Sequence, residues 1–534
     1  MLKRGPALAA AALVLAVYGA LTARFWFVYE DAFISFRYAR NWAGGHGLRY
    51  NLGENEPVEG YSNLLWVALC ALFDLTGLDM VRWAPATATL LGVVLLAVLF
   101  RTARRQMPAA LAGLVTLTVA SSPAFAAWAS SGMETMLFAL LFLMIMEQLL
   151  LQPDRPSVVG ATLAGIAITL CRVEGVVWGV GIPALAALIH RSDRDRLRTS
   201  VQIAALVLVG VFTHRAICWF YYGDIVANTV RAKVSMSAVT LASGARYVIH
   251  FWLTLLTPIL PVLLLPRAIR HRGGPGAGAA LCFVGVYVYS VAVGGDWMLL
   301  GRFLMPSLAI GALLTGWALA PLWNAGHHRI IMAVLLGGAA LNVAPAANLM
   351  LVPRAVRRAV SVRKPRVARM NPTEIVDLYR QTQPRRVALG KRLAGIYAPT
   401  DSLVSPNIGV IGYYSDLFIY DVFSLVSRQS DDVEIDLTRP PGHQKKRSAR
   451  AMLVEHPTLL DADLFDETER YTYACDMVDR WALPVFMADY APNEHPTPAD
   501  RFVLTIERWD DREDRMRRWE SWVQQCQPVE APKF

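Results

Sequence analysis

The chain has 534 residues, of which 55% are hydrophobic and only 18% are charged, and its mean hydropathy is +0.36. This composition excludes an ordinary soluble globular protein and indicates a polytopic membrane protein. The net charge of +10 does not indicate a nucleic-acid partner, because the basic residues lie mostly in short loops between apolar runs.

The N-terminus is a short basic stretch followed by a predicted first membrane span over residues 6–24. We expect this span to be retained rather than cleaved as a signal peptide, since no small-residue cleavage site precedes FWFVYED. Two adjacent carboxylates, Glu30 and Asp31, stand where the span leaves the membrane. Acids are costly there, so a functional site is the first hypothesis and an interfacial anchor is the alternative.

The loop after these acids is predicted to be long and ordered. AFISFRYARNW has apolar residues at helical spacing, with Arg37 and Arg40 on the wetter side, which indicates an amphipathic helix along the bilayer surface. GGHG ends that helix, and a turn-rich acidic stretch with Glu59 and Asn63 follows. Residues 64–79 are predicted to be a second surface-lying or half-inserted helix.

About eleven runs are long and apolar enough to cross a bilayer. They cover residues 6–24, 83–100, 108–123, 134–150, 157–171, 175–190, 200–219, 246–265, 277–293, 303–321 and 329–350. Keeping residues 64–79 out of the membrane places four basic loops, at 101–106, 190–198, 266–272 and 327–329, on one side. The positive-inside rule then predicts a cytoplasmic N-terminus and an extracytoplasmic chain after residue 352.

We expect a membrane domain over residues 1–352 and a soluble mixed α/β domain over residues 353–534. NIGVIGYY, LFIYDVFSL, AMLVEHP and RFVLTIER have the pattern of short strands, and PTEIVDLYRQTQ and DREDRMRRWESWVQQ that of helices. The sequence leaves open whether Cys475 and Cys526 form a disulfide. The basic run at 354–369 departs from the positive-inside pattern and is a candidate for contact with anionic lipid headgroups.

Polar residues at the ends of the spans fall on one predicted face of the membrane. Besides the first acids they are Glu134, Arg172, Glu174, Tyr222, Asn228, Lys233, Asp296 and Arg302. Each has an ordinary structural explanation, such as a helix-start acid, a local ion pair, a turn cap or a snorkelling lysine. Their convergence favours a substrate pocket whose cations hold a phosphate.

Several stretches together resemble the bacterial GT-C superfamily of polytopic glycosyltransferases. They are YEDAFISFRYARN…GGHGLRYN…PVEGYSNLLW, WASSGMET, CRVEG, YYGDIVANTVRAK and GGDWMLLGRFLMP, with IGVIGYYSDLFIYDVFSL extending the resemblance into the tail. The chain is more similar to terminal arabinofuranosyltransferases of the actinobacterial kind than to aminoarabinose transferases or protein mannosyltransferases. The acidic motif of the family often has two aspartates and here begins with Glu30, and CRVEG lacks a proline that many relatives have before the glutamate.

The resemblance implies sugar transfer from a polyprenyl-phosphate-linked donor to a glycan, lipid or protein acceptor of the cell envelope. Transfer would take place at the outer face of a bacterial plasma membrane, by one inverting displacement in which Asp31, beside Glu30, is the catalytic base. The implied phosphate-binding residues are Arg172, Lys233 and Arg302, and the implied substrate-positioning residues are Glu59, Asn63, Glu134, Glu174, Tyr222, Asn228 and Asp296. No metal ligand is assigned; a divalent cation such as Mg²⁺ or Mn²⁺ is needed by some relatives and not by others.

Two other functions stay open. A flippase of lipid-linked sugars would show inverted repeats with helices broken near the bilayer midplane, and neither is visible in the sequence. A non-enzymatic envelope or flagellar assembly factor would keep the resemblance without catalysis. Loss of a glycan in an Asp31→Asn variant that still inserts into the membrane would separate an enzyme from such a factor.

Overall fold

The computed structural model describes residues 4–54, 56–151, 157–231, 237–255, 258–298, 300–347, 349–350, 352–360, 370–427, 432–435, 444–466, 469–497 and 501–526. The first part is helical, with α1 (Arg4–Arg24), α2 (Ala32–Ala43), α3 (Leu64–Leu75), α4 (Met80–Arg104), α5 (Ala109–Ala120), α6 (Pro123–Ser130), α7 (Thr135–Met146), α8 (Val158–Cys171), α9 (Gly175–Ile189), α10 (Arg194–Tyr222), α11 (Asn228–Arg231), α12 (Ala238–Leu255), α13 (Ile259–Arg272), α14 (Gly274–Ala292), α15 (Met305–Asn324) and α16 (His328–Val343). A π-helical turn (Glu147–Leu151) extends α7, and 3-10 turns occupy Arg302–Leu304 and Ala344–Ala347.

Within the described chain, five helices are long and apolar enough to cross a membrane: Met80–Arg104, Arg194–Tyr222, Gly274–Ala292, Arg302–Asn324 and His328–Ala347. Two bent pairs, α5 with α6 and α12 with α13, also qualify when each is taken as one span. Shorter apolar helices lie at four further predicted spans, Leu8–Arg24, Thr135–Leu151, Val158–Cys171 and Gly175–Ile189. The predicted polytopic helical fold is confirmed, and the number of spans stays a prediction.

The predicted span 108–123 is a bent pair, in which α5 and α6 meet at 64°. Pro123 begins α6, and Ser122 Oγ accepts a hydrogen bond from the Phe125 amide at 3.3 Å. Because a residue before proline avoids helical geometry, α5 ends at this point and α6 starts in a new direction. The end of α6 reaches the first loop, where the Tyr29 amide donates to the Ser131 carbonyl at 2.9 Å.

Basic residues of the predicted cytoplasmic loops meet at one end of the helical bundle. Arg101 and Arg105 pair with the buried Glu147 at 2.6 and 3.4 Å. Arg272 donates to Gln106 Oε1 at 3.2 Å, which joins the basic loop at 266–272 to the one at 101–106. The first loop packs against the C-terminal region at the opposite end. This arrangement agrees with the predicted alternation of loops, while the side that faces the cytoplasm stays a prediction.

Helix α2 lies between the bundle and the C-terminal region, not on an open bilayer surface. The prediction that Arg37 faces water is wrong, because the residue is 2% exposed. Its guanidinium donates to the carbonyls of Tyr50, Gly412 and Leu417 at 2.8, 2.7 and 2.8 Å. The second helix of the loop, α3, has 12 residues, too few for a span of about 20.

The C-terminal region contains helices α17 (Arg354–Val360), α18 (Pro372–Ile396), α19 (Val410–Ser415), α20 (Ala449–Leu453), α21 (Arg470–Trp481), α22 (Pro484–Met487) and α23 (Arg512–Cys526). Its strands are β1 (Ser402–Ser405), β2 (Phe418–Asp421), β3 (Val433–Ile435), β4 (Lys445–Arg447), β5 (Leu459–Asp466), β6 (Tyr490–Thr497) and β7 (Arg501–Arg508). A five-stranded sheet has the order β2-β1-β5-β7-β6; β1 is parallel to β2 and β5, and the other neighbours are antiparallel. The predicted mixed α/β character of this region is confirmed.

Two of the predicted strands are helical, because side-chain acceptors that bind their first amides outweigh strand propensity. NIGVIGYY forms α19, whose first amides, of Gly409 and Val410, donate to Glu30 Oε1 at 2.9 and 3.1 Å. AMLVEHP begins in α20, where Ser448 Oγ accepts a hydrogen bond from the Ala451 amide at 3.1 Å. LFIYDVFSL and RFVLTIER contain strands β2 and β7, and the helices predicted at 372–383 and 511–525 lie within α18 and α23.

The apolar core of the bundle continues into the C-terminal region. Leu393 of α18 and Ile411 of α19 belong to the same buried cluster as the membrane helices, and a second cluster around Trp519 and Trp522 lies against the sheet. This continuity leaves the division at residue 352 a prediction. Cys475 of α21 and Cys526 of α23 form a disulfide, and the free cysteines of the described residues are buried.

Candidate active site

Five of the predicted site residues line one cavity of about 80 Å³, here called the central cavity. Its walls come from the first loop, the turn before α7, helix α11, the loop before α15 and one residue of the C-terminal region. The lining residues are Asp31, Ile34, Ser35, Gly60, Tyr61, Ser62, Asn63, Met133, Glu134, Thr229, Asp296, Trp297, Met298, Arg302 and Leu425. Folding thus gathers residues that are up to several hundred positions apart.

The first loop supplies the acid at the start of α2. The Asp31 carbonyl accepts a hydrogen bond from the Ile34 amide at 3.2 Å, which begins the helix. Ser35 stands one turn later and therefore shares a helix face with Asp31. Ser35 Oγ lies 3.0 Å from Asn63 Nδ2 at the start of α3. The two ends of the loop meet at this contact, which fixes α2 over the cavity.

A buried chain of charges extends from Asn63 into the bundle. Glu134 Oε2 accepts from Asn63 Nδ2 at 2.8 Å, and Glu134 Oε1 accepts from Arg172 Nη1 at 2.5 Å. Arg172 Nε also bonds to Glu174. The two acids stand just before α7 and α9, where the helix dipole favours a carboxylate. Arg172 lies behind the cavity wall, its charge balanced by two carboxylates.

The loop before α15 brings an ion pair to the opposite wall. Arg302 Nε and Nη2 donate to the two carboxylate oxygens of Asp296 at 2.8 and 3.3 Å, and both side chains are nearly buried. Gly301 has φ +68°, and a Cβ there would come within 2.3 Å of the Phe251 ring, so glycine is needed in this tight turn. Trp128 Nε1 holds the turn by donating to the Leu300 carbonyl at 3.1 Å.

The central cavity combines three carboxylates with one guanidinium. Glu134 and Asp296 each accept a hydrogen bond from an arginine. Arg302 Nη1 has the sulfur of Met133 as a neighbour at 3.8 Å, and sulfur is a weak acceptor. That nitrogen is therefore placed to donate to an entering oxyanion, while the acids suit hydroxyl groups.

Glu30 is directed away from the central cavity. Its Oε1 accepts from the first amides of α19, and its Oε2 pairs with Arg386 of α18 at 3.0 Å. Glu30 is absent from the residues that line the cavity. The two adjacent acids thus have different surroundings: Asp31 faces the cavity, and Glu30 joins α2 to the C-terminal region.

Four predicted positioning residues also lie outside the central cavity, one of which is Glu174, described above as a partner of Arg172. Both Glu59 oxygens pair with Arg215, at 2.8 and 3.0 Å. Tyr222 OH donates to the Leu48 carbonyl at 2.9 Å, and Asn228 Nδ2 donates to carbonyls of the C-terminal region. Lys233, predicted to bind phosphate, lies outside the described residues.

Some lining residues were absent from the sequence-based prediction. Tyr61 and Ser62 belong to the quoted motif PVEGYSNLLW, and Thr229 follows Asn228 in YYGDIVANTVRAK, so their motifs gave a usable signal. Ser35 had the weaker signal of helical spacing from Asp31. Leu425 ends the quoted stretch IGVIGYYSDLFIYDVFSL, and the packing of the C-terminal region brings it to the cavity.

Among the described residues, one group of His, Cys and acidic side chains is close enough to share a metal ion. It consists of Glu59, His214 and Cys218, whose ligand atoms lie within 4.8 Å of one another. Arg215 Nη2 contacts all three, at 2.8 Å to Glu59, 3.2 Å to His214 Nδ1 and 3.3 Å to Cys218 Sγ. A guanidinium among these atoms repels a cation. The group therefore fits a buried ion pair and not a metal centre.

No protein-family model and no curated protein matches the sequence. Among solved structures, apo ArnT from Cupriavidus metallidurans matches with a TM-score of 0.52 and 15% identity over 95% of this chain and 98% of that chain. ArnT from Cupriavidus metallidurans bound to undecaprenyl phosphate matches with a TM-score of 0.51 and 15% identity over 94% and 98%. The apo Archaeoglobus fulgidus oligosaccharyltransferase matches at a TM-score of 0.46 and 11% identity over 95% and 74%. The chain therefore has the GT-C-like fold that its motifs predicted, shared with ArnT over nearly its whole length.

Proposed function

We propose that the protein is a membrane glycosyltransferase that moves a sugar from a polyprenyl-phosphate-linked donor to a cell-envelope acceptor. The observation that carries the proposal is the central cavity, where Asp31 of the first loop lies with the Asp296–Arg302 ion pair of a loop far along the chain. The shared fold with an ArnT structure bound to undecaprenyl phosphate supports a lipid-phosphate donor.

In the proposed reaction, the oxygen of an acceptor hydroxyl attacks the anomeric carbon of the donor sugar. Asp31 takes the hydroxyl proton, the bond between the anomeric carbon and the phosphate oxygen breaks, and the lipid phosphate leaves with that electron pair. Attack from the face opposite the phosphate inverts the anomeric configuration. Asp31 lines the central cavity at the start of α2, and a general base must come within about 3 Å of the hydroxyl that it deprotonates.

Arg302 is proposed to bind the leaving phosphate, because it lines the cavity and its Nη1 contacts the weak acceptor sulfur of Met133, while Asp296 binds its other nitrogens. A cation that is already fixed in place stabilises the charge that develops on the phosphate, because the cation does not have to reorient during the reaction. Lys233 remains a second proposed phosphate contact. Arg172 is proposed to act indirectly, by holding Glu134 and through it Asn63.

The remaining residues have proposed roles that follow their contacts. Asn63, Glu134 and Asp296 line the cavity and are proposed to position sugar hydroxyls, with Glu174 fixing Arg172 behind them. Glu30 is proposed as an anchor of α2 on the C-terminal region rather than as a second catalytic acid.

The proposed topology has a cytoplasmic N-terminus, and the cavity and C-terminal region outside the plasma membrane. The cluster of basic loops at the bundle end opposite the first loop supports this orientation. The Cys475–Cys526 disulfide supports it independently, since disulfides persist in oxidising compartments. The acceptor is proposed to be a glycan, lipid or protein of the cell envelope, and the sugar a hexosyl or pentosyl unit, of which the motif resemblance favours an arabinofuranosyl unit.

The test compares the glycans of a deletion strain complemented with wild type, Asp31→Asn or Glu30→Gln. We expect Asp31→Asn to insert normally and to lose transfer by about 10²- to 10⁴-fold, the range for removing a general base. Glu30→Gln should keep measurable transfer, because its carboxylate is away from the cavity. An unchanged glycan profile in Asp31→Asn would overturn the enzymatic proposal and favour a non-enzymatic assembly factor.

A further inference from the structure

One wall of the central cavity comes from the C-terminal region. Leu425 supplies it, and every other described lining residue lies at or before position 302. Leu425 belongs to the turn that begins at the end of β2, residues 421–427, here called the cavity turn. The helical bundle therefore does not close the cavity by itself, and the position of this wall depends on how the cavity turn is held.

Hydrogen bonds within the cavity turn fix its shape. The buried Asp421 carboxylate accepts from three amides of the turn, at 2.8, 2.5 and 3.3 Å, those of Phe423, Leu425 and Val426. Ser424 has φ +55°, a left-handed conformation that is uncommon for serine and persists only where its surroundings support it. Because three amides share one buried acceptor, the turn has a defined shape before any substrate enters.

The cavity turn is also fixed to helix α11. Asn228 Nδ2 donates to the carbonyls of Ser424 and Ser427 at 2.8 and 3.1 Å, and both contacts are buried. The Asn228 amide donates to the Glu59 carbonyl at 3.1 Å. One residue of α11 thus binds the cavity turn through its side chain and the first loop through its backbone.

The first loop touches the cavity turn directly at Gly60. A Cβ at Gly60 would lie 2.7 Å from the Leu425 carbonyl oxygen and 2.9 Å from Val426 Cγ1, so only glycine allows the turn to approach this closely. Gly60 and Leu425 both line the central cavity. The wall that Leu425 forms is therefore held by the C-terminal region, by α11 and by the first loop.

The central cavity is small, so its walls leave little room to spare. Its volume of about 80 Å³ is well below about 300 Å³, the lower end of the range for small-molecule sites. The Leu425 amide is bonded to Asp421, and its carbonyl accepts from Asn228 Nδ2 at 3.3 Å. The apolar side chain is thus the part of Leu425 left to meet a substrate, and a wall held in three places yields less to a larger group than a free surface loop would.

We propose that Leu425 is a specificity-determining residue, which limits the size of the sugar that enters the central cavity. Asn228 then acts as a positioning residue, since its side chain holds the cavity turn and not the substrate itself. The proposal rests on the proposed glycosyl transfer, because it concerns the sugar of that reaction. It gives the C-terminal region a part in substrate selection.

The test compares two polyprenyl-phosphate donors, a pentofuranosyl and a hexofuranosyl one that differ by a single hydroxymethyl group, on the purified full-length protein in nanodiscs. In Leu425→Ala, the hexosyl-to-pentosyl ratio of kcat/KM should rise about 10- to 200-fold, the range that one small group produces in a binding pocket. Leu425→Phe should shift the ratio the opposite way. Both substitutions tend to lower stability, so general damage cannot produce opposite shifts.

A matched control and a second measurement make the result specific. Leu453→Ala removes the same atoms from a partly buried leucine of α20 outside the cavity and should leave the ratio unchanged. Asn228→Ala should move the ratio in the direction of Leu425→Ala, because it releases the cavity turn. Equilibrium binding of both labelled donors to Asp31→Asn, with and without Leu425→Ala, repeats the comparison as a ratio of Kd values without turnover.

The outcomes separate this inference from the proposed function. A ratio that neither Leu425 variant changes, or an equal shift in Leu453→Ala, would overturn the size limit, and an unchanged ratio in Asn228→Ala would overturn the role of Asn228. A wild type that binds the donors and transfers neither sugar would overturn the proposed function instead, and the Kd ratio would still decide on Leu425. Binding of neither donor would overturn both.

Discussion

Arg37 offers the sharpest test of how the C-terminal region is fixed to the helix that follows Asp31. Its guanidinium donates to the carbonyls of Tyr50, Gly412 and Leu417 and contacts Asn51 Oδ1 at 3.4 Å, all in a buried setting. In Arg37→Lys, one ammonium group replaces three separated nitrogens, so we expect at least two carbonyls to lose their donor. A buried acceptor left unpaired costs about 1–3 kcal/mol, which predicts a loss of about 2–6 kcal/mol in the free energy of unfolding.

The assay is thermal unfolding of the purified full-length protein in detergent, followed by tryptophan fluorescence, with limited proteolysis to detect release of the C-terminal region. The matched control is Arg40→Lys, because Arg40 is on the same helix and binds the Tyr413 carbonyl at 3.1 Å from a partly exposed position. An exposed pair of this kind contributes at most about 1 kcal/mol. Equal losses in the two variants, or no loss in Arg37→Lys, would refute the reasoning from burial.

Three further predictions concern the site, the pH response and the disulfide. Arg302→Lys loses the two-nitrogen contact with Asp296, so kcat/KM measured with a lipid-phosphate sugar donor should fall about 10²- to 10³-fold. Burial raises the pKa of Asp421 to about 6, above its value of about 3.9 in an unfolded chain. The folded state therefore binds the Asp421 proton more tightly than the unfolded state does. The resulting stabilisation of the folded state, up to about 3 kcal/mol, is present below about pH 4 and is lost as the pH rises through about 6. An Asp421→Asn variant should not show this dependence of stability on pH in melting experiments. Replacing Cys475 and Cys526 by serine opens a loop of 51 residues and should lower the free energy of unfolding by about 4 kcal/mol in the chain-entropy view, measured by denaturant titration.

Each of these has its own control. Lys445→Arg changes a cation outside the central cavity and should leave kcat/KM within about threefold, so a similar loss there would point to general damage rather than to phosphate binding. For the pH response, Asp416→Asn removes an exposed acid and should keep the slope of wild type. For the disulfide, a reducing agent should shift wild type toward the double serine variant and leave that variant unchanged.

The candidate site was predictable as a set of residue types and only partly as a geometry. Motifs identified Asp31, Asn63, Glu134, Asp296 and Arg302, which share one cavity. They could not show that Glu30 lies outside this cavity, because the amides that bind Glu30 belong to a helix almost four hundred positions away.

Local sequence patterns also gave wrong predictions where the hydrogen-bond partner of a residue lies far away in the chain. Arg37 has the spacing of a solvent-facing residue, and its burial follows from carbonyls supplied by α19 and the strand after it. The stretch NIGVIGYY has strand propensity, and the Glu30 carboxylate favours its helical form. In both cases the deciding hydrogen bond joins segments that are far apart in the chain.

The sequence by itself determined that this is a helical membrane protein with a mixed α/β tail, and it predicted that the polar residues of the candidate site gather near the first loop. Hydropathy and turn residues act locally, and in a bilayer the backbone groups of a span must form their hydrogen bonds within its own helix. These features can therefore be predicted from the sequence without knowledge of tertiary contacts. Only the tertiary structure decided which acids meet a cation, which face a cavity and which anchor the C-terminal region. Those outcomes depend on pairing between distant segments. The contacts that stabilise this pairing are not encoded in any local sequence pattern.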